Sequence, residues 1–482
     1  MQLALQHHEA GRLPEAESIC RSVLNAEPHN ANAIYLLGVI AHQGGNHDGA
    51  VGLMERAIAL KPGNPFFLNN LGEILRELNR PDAAEKQYRR ALVLKPDFIK
   101  AHNNLGNALQ ALRRYDEAEQ SYREAIRFGP ALALPRLNCA LLHLLRGDYG
   151  AGFAHYEQRF EGADPRQTVF MLNLLTRLED TPRWQGEPLG SKRLLVWTEQ
   201  GLGDCVMMMR YLPLLKSRGA GPVTVYCAAP LVRLMRTLGG IDEVISQEDA
   251  LPEGGFDTHC PLMSLPLLFG TRLETVPREV PYVRVAKNLQ RKWAAMLGVI
   301  PHPRVGLVWA GAKRNMGEAR RSMRLQAFAP LLGASGASFV SLQKGEDAGE
   351  LDAAQWSILD LMDECGDLLD TAALIKQLDL VVSIDTSVAH LAGALGKPVW
   401  LLTRGESAWQ WMLERDDSPW YPTMRIFRQP QGGNWHDVMA NVTAIFKTTF
   451  GAAAAGEYAA RRHARTGNAK SLWAQLFLKR GK

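Results

Sequence analysis

Residues 63–96 read GNPFFLNNLGEILRELNRPDAAEKQYRRALVLKP, and residues 97–130 read DFIKAHNNLGNALQALRRYDEAEQSYREAIRFGP. Laid over one another, the two lines decide the N-terminal fold. Asn69-Asn70-Leu71-Gly72 falls on Asn103-Asn104-Leu105-Gly106, Tyr88 falls on Tyr122, and Pro96 on Pro130, each 34 residues apart. The register extends in both directions. Pro28 and Pro62 continue the proline series; Gly11, Gly45, Asn79, Arg113 and Gly147 form a second series. A third runs through Ala16, Ala50, Ala84, Ala118 and Gly152; Gly38 and Ala140 flank Gly72 and Gly106, and Tyr156 follows Tyr122. Small residues let two antiparallel helices approach closely. The Gly or Asn series turns the chain between them, and proline stops the second helix because it has no N–H to donate. One such hairpin cannot bury its own apolar face, so the units must stack.

A period of 34 with these residues resembles the tetratricopeptide (TPR) repeat. About five units are expected over residues 1–162, the last of them atypical. Asn69, Asn70, Asn103, Asn104 and Asn138 recur near the start of the first helix. Amides both donate and accept, which suits them to clamp a peptide backbone in an acceptor groove. A purely structural or dimerising role for the array, and so a homo-oligomer, is the alternative.

The helical period fades after Phe160. Residues 163–190 carry Pro165, Pro182, Gly186, Pro188 and Gly190, a linker composition. Trp184, inside it, is expected to pack the array against the C-terminal part of the chain. Strand and helix patterns then alternate. Residues 193–198, 222–228, 304–309, 338–342, 357–361, 380–384 and 398–402 read as strands, with helices such as 205–216 and 230–238 between them. This predicts two Rossmann-like α/β domains, 191–300 and 301–450, facing a cleft with ligands at the carboxyl ends of the strands. Residues 451–482 form a basic C-terminal helix or tail, with Leu472, Trp473, Leu476 and Phe477 on one face.

Three turns at strand ends carry the chemistry. In the first, Gln200-Gly201-Leu202-Gly203-Asp204, glycines admit close backbone approach and the helix start offers amides to an anion. Val206 stands where a dinucleotide fingerprint needs glycine, which argues against NAD. Asp204 is either a carboxylate favoured by the helix dipole or a general base facing the cleft. The second turn, Gly311-Ala312-Lys313-Arg314, continues to Arg320-Arg321-Ser322, and Lys344 follows another strand. Such a cationic loop suits a diphosphate leaving group in the absence of a metal, or is simply solvated. The third is Asp385-Thr386-Ser387 leading to His390. Thr386 and Ser387 can cap the helix and offer hydroxyls and amides to phosphate, while His390 either bonds a phosphate or packs inward.

The stretches EQGLGD (199–204), HCPLMSLPL (259–267), GLVWAG (306–311), SLQKG (341–345), DTSVAHLAGALGKPVW (385–400) and DSPWYPTMRIFRQ (417–429) resemble TPR-linked relatives of the lipopolysaccharide heptosyltransferases, glycosyltransferase family nine. A more distant similarity is to the O-linked N-acetylglucosamine transferases, which also join TPRs to this fold. The resemblance implies a GT-B enzyme that inverts the anomeric centre without a metal or other cofactor and takes a nucleotide-diphosphate sugar as donor. It implies Asp204 as base, Lys313 or Arg314 at the leaving group, and Asp385, Thr386, Ser387 and His390 at the donor diphosphate. The region of Trp409 and Trp411 departs from the family pattern; either indole stacks on the nucleobase or packs the cleft wall. The acceptor is then a protein held by the TPR groove, surface-appendage proteins such as flagellin being the class suggested by analogy. An envelope-glycan transferase whose TPRs recruit partners, and a non-catalytic TPR scaffold, are the rival readings.

Bulk properties agree with such a protein. With 55 basic and 50 acidic residues the net charge of +5 gives no case for nucleic acid. Hydrophobic content of 46% is ordinary for a globular chain. Six scattered cysteines without a CxxC pair read as reduced thiols of a cytoplasmic protein. The N-terminus does not read as a signal peptide, and no transmembrane segment is expected.

Overall fold

A computed structural model describes residues 1–161, 165–252, 254–298, 300–312, 321–334, 336–405, 408–430 and 434–462, with only the backbone of 165–169 and 451–462. Two compact units are present: Met1–His143 with Ala154–Ala163, and Leu144–Phe153 with Asp164–Lys482.

The repeats form helices α1 (Gln2–Glu9), α2 (Leu13–Ala26), α3 (Ala31–Gln43), α4 (His47–Leu60), α5 (Pro65–Glu77), α6 (Pro81–Leu94), α7 (Ile99–Ala111), α8 (Tyr115–Phe128), α9 (Ala133–Arg146) and α10 (Tyr149–Tyr156). The turn series that the period singles out is left-handed at every position: Gly11, Gly45, Asn79, Arg113 and Gly147 have φ of 74°, 81°, 61°, 60° and 86°. Pro28, Pro62, Pro96 and Pro130 all lie in the turns that close α2, α4, α6 and α8. The Gly and Tyr series are two halves of one contact. A methyl group on Gly72 would lie 2.5 Å from Tyr88 Cε1, and one on Gly106 would collide with Tyr122; both rings are fully buried. Glycine on the first helix makes the slot, and tyrosine from the second fills it.

The asparagines have a different use from the one expected. Asn104 Nδ2 donates to Asn69 Oδ1 at 3.1 Å, Asn138 Nδ2 to Asn103 Oδ1 at 2.8 Å, and Asn70 Nδ2 to Tyr35 Oη at 2.5 Å. Each bond joins residues 35 apart, so the amides form rungs between successive first helices. Asn69, Asn103 and Asn104 are buried. The acceptor-groove assignment for Asn69, Asn70, Asn103 and Asn104 is thereby corrected: the peptide-like bonding capacity of these amides is turned on one another. Replacing Asn104 with Leu leaves the buried Asn69 side-chain carbonyl without its donor and is expected to cost about 1–3 kcal/mol, read as a lower midpoint in urea unfolding.

The second unit holds two parallel sheets. The first contains β1 (Leu194–Trp197), β2 (Val223–Cys227), β3 (Glu243–Ser246) and β4 (Thr258–Pro261) in the order β3-β2-β1-β4. The second contains β5 (Arg304–Val308), β6 (Ser338–Ser341), β7 (Ile358–Asp360), β8 (Leu380–Ile384), β9 (Val399–Thr403) and β10 (Met424–Arg428) in the order β10-β9-β8-β5-β6-β7. Both sheets reverse their order beside the first strand, between β1 and β4 and between β5 and β8. Loops diverge at such a switch point, opening a crevice at the carboxyl ends of the strands. Trp309, Phe328, Val382, Trp400, Met439, Val442 and Phe446 belong to the core of the second sheet.

Several local expectations change. Strands β3, β4 and β10 are additional to those the sequence pattern predicts. The 205–216 helix is instead an α-helix at Leu202–Met208 continued by 3-10 turns over Met209–Arg218, because Pro213 cannot donate to the helical ladder. The 230–238 helix is 3-10 over Ala229–Leu231 and α over Val232–Met235. The linker-like stretch contains a helix, Pro165–Arg177. Trp184 is fully buried within the α/β part, edge-on to Phe269, with its backbone N–H on the His259 carbonyl at 2.9 Å. The last helix runs over Trp435–Arg462, past the expected domain end at 450; Leu472, Trp473, Leu476 and Phe477 lie outside the described residues.

Candidate functional site

The site is built from the first turns of two helices, one from each sheet. After β1 the chain turns at Gln200, whose φ is 71°, and enters the Leu202–Met208 helix at Gly201. After β8 it turns through Asp385 and Thr386 into the Ser387–Ala394 helix. The two helices meet at Gly203. A methyl group there would lie 2.9 Å from His390 Cδ2 and 3.4 Å from Ser387 Cα, so only glycine allows this approach.

Asp204 occupies the third position of its helix. Its Oδ2 accepts from the Gly201 N–H at 3.3 Å and its Oδ1 from Gln410 Nε2 at 2.8 Å. Both sequence readings of Asp204 are therefore compatible: it satisfies a helix-start amide, and it faces the second sheet's loops. Burial pushes its pKa up from 3.8 to about 6; the Gln410 bond opposes the rise, the negative charge of Asp385 adds to it, and Arg321 opposes it. Burial likewise raises Asp385, with Arg321 and the Trp411 indole pulling it back down. Two carboxylates and a guanidinium thus share one poorly solvated crevice, the setting in which a carboxylate becomes a usable base near neutral pH.

Thr386 sits at the N-cap, but its side chain makes no capping bond; its hydroxyl pairs with Ser383 Oγ at 3.0 Å. Phosphate-binding capacity at this turn rests on backbone amides of the first helical turn, which have no intrahelical acceptor, and on the partly exposed Ser387. His390 is buried. Its Nδ1 lies 2.9 Å from Tyr421 Oη, and its ring centroid lies 4.8 Å from that of Trp411. Burial, with Arg210 and Arg321 nearby, lowers its pKa to about 3, so the imidazole is neutral and supplies no cation to a phosphate. Inward packing is the one of its two expected roles that this geometry fits. Gly393 packs closely against the Tyr421 ring, and Gly396, with a φ of 68°, ends the helix.

Trp409 and Trp411 are wall residues. Trp409 stands edge-on to Phe153, Trp420 and Tyr149, with centroids 5.7, 5.9 and 6.2 Å away. Trp411 is fully buried between His390 and Tyr421. Base stacking, which needs an open ring face, is corrected to packing for both. Lys344 is exposed, and its ammonium donates to the Cys365 carbonyl at 2.5 Å. Lys313 and Arg314 lie outside the described residues. The cationic loop is represented by Arg321, whose Nε lies 3.1 Å from where a Gly311 Cβ would be, while Ser322 Oγ accepts from the Gly311 N–H at 3.1 Å.

Sequence reasoning misses two residues that join the sheets, Arg210 and Gln410. Arg210 is buried and donates to the carbonyls of Met207 (2.8 Å), Pro277 (3.0 Å) and Trp420 (2.6 Å) and to Tyr282 Oη (3.1 Å). A charge inside the run Met207–Leu215 is the signal that could have found it, since a lone arginine is seldom buried without dedicated partners. Gln410 has no such signal.

Comparisons with known proteins fall on the same two halves. A tetratricopeptide-repeat model matches residues 1–65 and 69–133. A model described as glycosyltransferase family 9 (heptosyltransferase) matches residues 364–403, the span holding β8, Asp385–Ser387 and His390. The chain resembles a TPR-linked family 9 glycosyltransferase. Protein FlbA of Caulobacter vibrioides is 30% identical over 346 residues, 66% of this chain and 55% of the relative, so the match spans about half of that protein's length. Among solved structures, MamA is 19% identical over 33% of this chain and 94% of its own, with a TM-score of 0.31. Pseudomonas aeruginosa pilF is 23% identical over 37% and 82%, with a TM-score of 0.33. YrrB, described as a TPR protein with an unusual peptide-binding site, is 19% identical over 37% and 89%, with a TM-score of 0.30. Among the described residues, no helix is long and apolar enough to cross a membrane.

Proposed function

We propose that this protein is a glycosyltransferase that moves a sugar from a nucleotide diphosphate to an acceptor hydroxyl, most simply on a protein bound by the repeats. One observation carries the reading: Asp204 and the Asp385–Ser387 turn, from separate sheets, converge where the Leu202–Met208 and Ser387–Ala394 helices touch. The acceptor oxygen attacks the anomeric carbon and its proton passes to Asp204. The bond from that carbon to the diphosphate oxygen breaks, and its electron pair leaves with the diphosphate. Arg321 and the amides at 386–388 take up the developing charge. A single displacement of this kind inverts the anomeric centre. Lys313 and Arg314 remain candidates for the same charge from sequence alone. Independence from metal rests on the family resemblance.

The test is a thermal-shift screen against UDP-, GDP-, ADP- and CMP-sugars, with and without EDTA. A ligand at 100 times its Kd should stabilise the folded state by about 2.7 kcal/mol, and EDTA should not change the shift. No shift with any of the four classes would favour the scaffold reading.

A further inference from the structure

Gln410 is 8% exposed and lies on the 3-10 turn Trp409–Trp411. That turn is held from behind by Arg428, whose guanidinium donates to the Trp411 carbonyl. Gln410 Nε2 reaches across to Asp204 Oδ1 at 2.8 Å. Gln410 Oε1 is buried and has no hydrogen-bond partner among the described residues. Burying an unpaired amide oxygen is unfavourable, so the side chain is held there by something that outweighs the cost.

We propose that Gln410 is a positioning residue for Asp204 that serves the carboxyl group in both of its protonation states. This deepens the reading of Asp204 as base and rests on it. While Asp204 is ionised it only accepts, so the amide must present Nε2 and leave Oε1 unpaired. Once the carboxylate has taken the acceptor's proton, the new O–H is a donor, and half a turn of the amide presents Oε1 to it. The unpaired oxygen is therefore the half of the amide used after proton transfer. Leucine can do neither. Glutamate at 410 would set a further negative charge beside Asp204 and Asp385.

The crevice also contains Arg321 from the loop after β5, His390 from the Ser387–Ala394 helix and Glu199 from the turn after β1, so pH effects must be isolated by a cycle. Thermal midpoints are measured from pH 4.5 to 8.5 for wild type, Gln410→Leu, Asp204→Asn and the double variant. A bond to a charged acceptor is stronger than one to a neutral acceptor. Gln410→Leu is therefore expected to lower the midpoint by roughly 2–4 °C more at pH 8 than at pH 4.5, and only where Asp204 is present. In the Asp204→Asn background the loss should be the same at every pH. An equal, pH-independent loss in both backgrounds overturns the proposal and makes Gln410 a packing residue. If Gln410→Leu fails to fold, Gln410→Met is measured in its place. The cycle needs no sugar donor. Failure of the coupling therefore leaves the base assignment standing, and failure of Asp204→Asn to reduce transfer leaves the coupling standing.

Discussion

Asp204→Asn should cut transfer by orders of magnitude while leaving nucleotide-sugar binding intact, and it should make the protein more stable at neutral pH. Loss of a positioned general base typically costs about 10²–10⁴-fold in rate, measured as turnover at saturating donor. The stability gain follows from the raised pKa. A carboxyl whose folded value is about 6, against 3.8 when free, favours folding below 3.8 and loses that contribution as pH rises through 6. Above that window wild type carries a penalty on the order of 3 kcal/mol, which asparagine removes. Melting curves should show the variant several degrees above wild type at pH 8 and level with it near pH 4. In wild type, turnover should fall as pH drops below about 6. Unchanged turnover in the variant would remove Asp204 from the chemistry.

Arg321→Gln is expected to have the second-largest effect. On the proposed reading, its charge meets the departing diphosphate in a crevice with little water. Removing one such stabilising group costs on the order of 10²–10³ in kcat. The same guanidinium holds down the pKa of both Asp204 and Asp385. Its loss should therefore also move the acid limb of the pH–rate profile upward, a change that merely weaker donor binding would not produce. A variant with an altered KM, an unaltered kcat and an unmoved profile would assign Arg321 to ground-state binding alone.

The repeats are legible because every signal in them is local. A slot such as Gly72 with Tyr88, a left-handed turn such as Arg113 and a terminating proline all act within one hairpin, and the period multiplies them. The Asn series is equally visible, but its meaning is not. An amide that can clamp a peptide can also bond another amide one unit away, and the sequence looks the same in both cases. In the α/β part, the strands with continuous apolar runs can be read to within a residue or two. β3, Glu243–Ser246, is a four-residue edge strand that opens on a charge, β10, Met424–Arg428, carries two arginines among its five residues, and β4, Thr258–Pro261, has two polar residues and a closing proline. The convergence of Asp204 with the 385–387 turn is suggested by the order of the motifs. Gln410 cannot be read, because its meaning depends on a residue 206 positions away. Trp409 and Trp411 illustrate the same limit: an indole near a cleft looks the same in sequence whether its face is open or covered.

The rungs joining Asn69 to Asn104 and Asn103 to Asn138 set a rule for anyone who would re-engineer the array. Excising residues 97–130 would set Asn138 opposite Asn69 and re-form a rung, whereas a generic hairpin put in their place would leave Asn69 and Asn138 each without its partner. Arrays shortened by whole units should therefore keep their rungs, and lengthened ones should keep them only when the grafted hairpin brings asparagines at both of these positions.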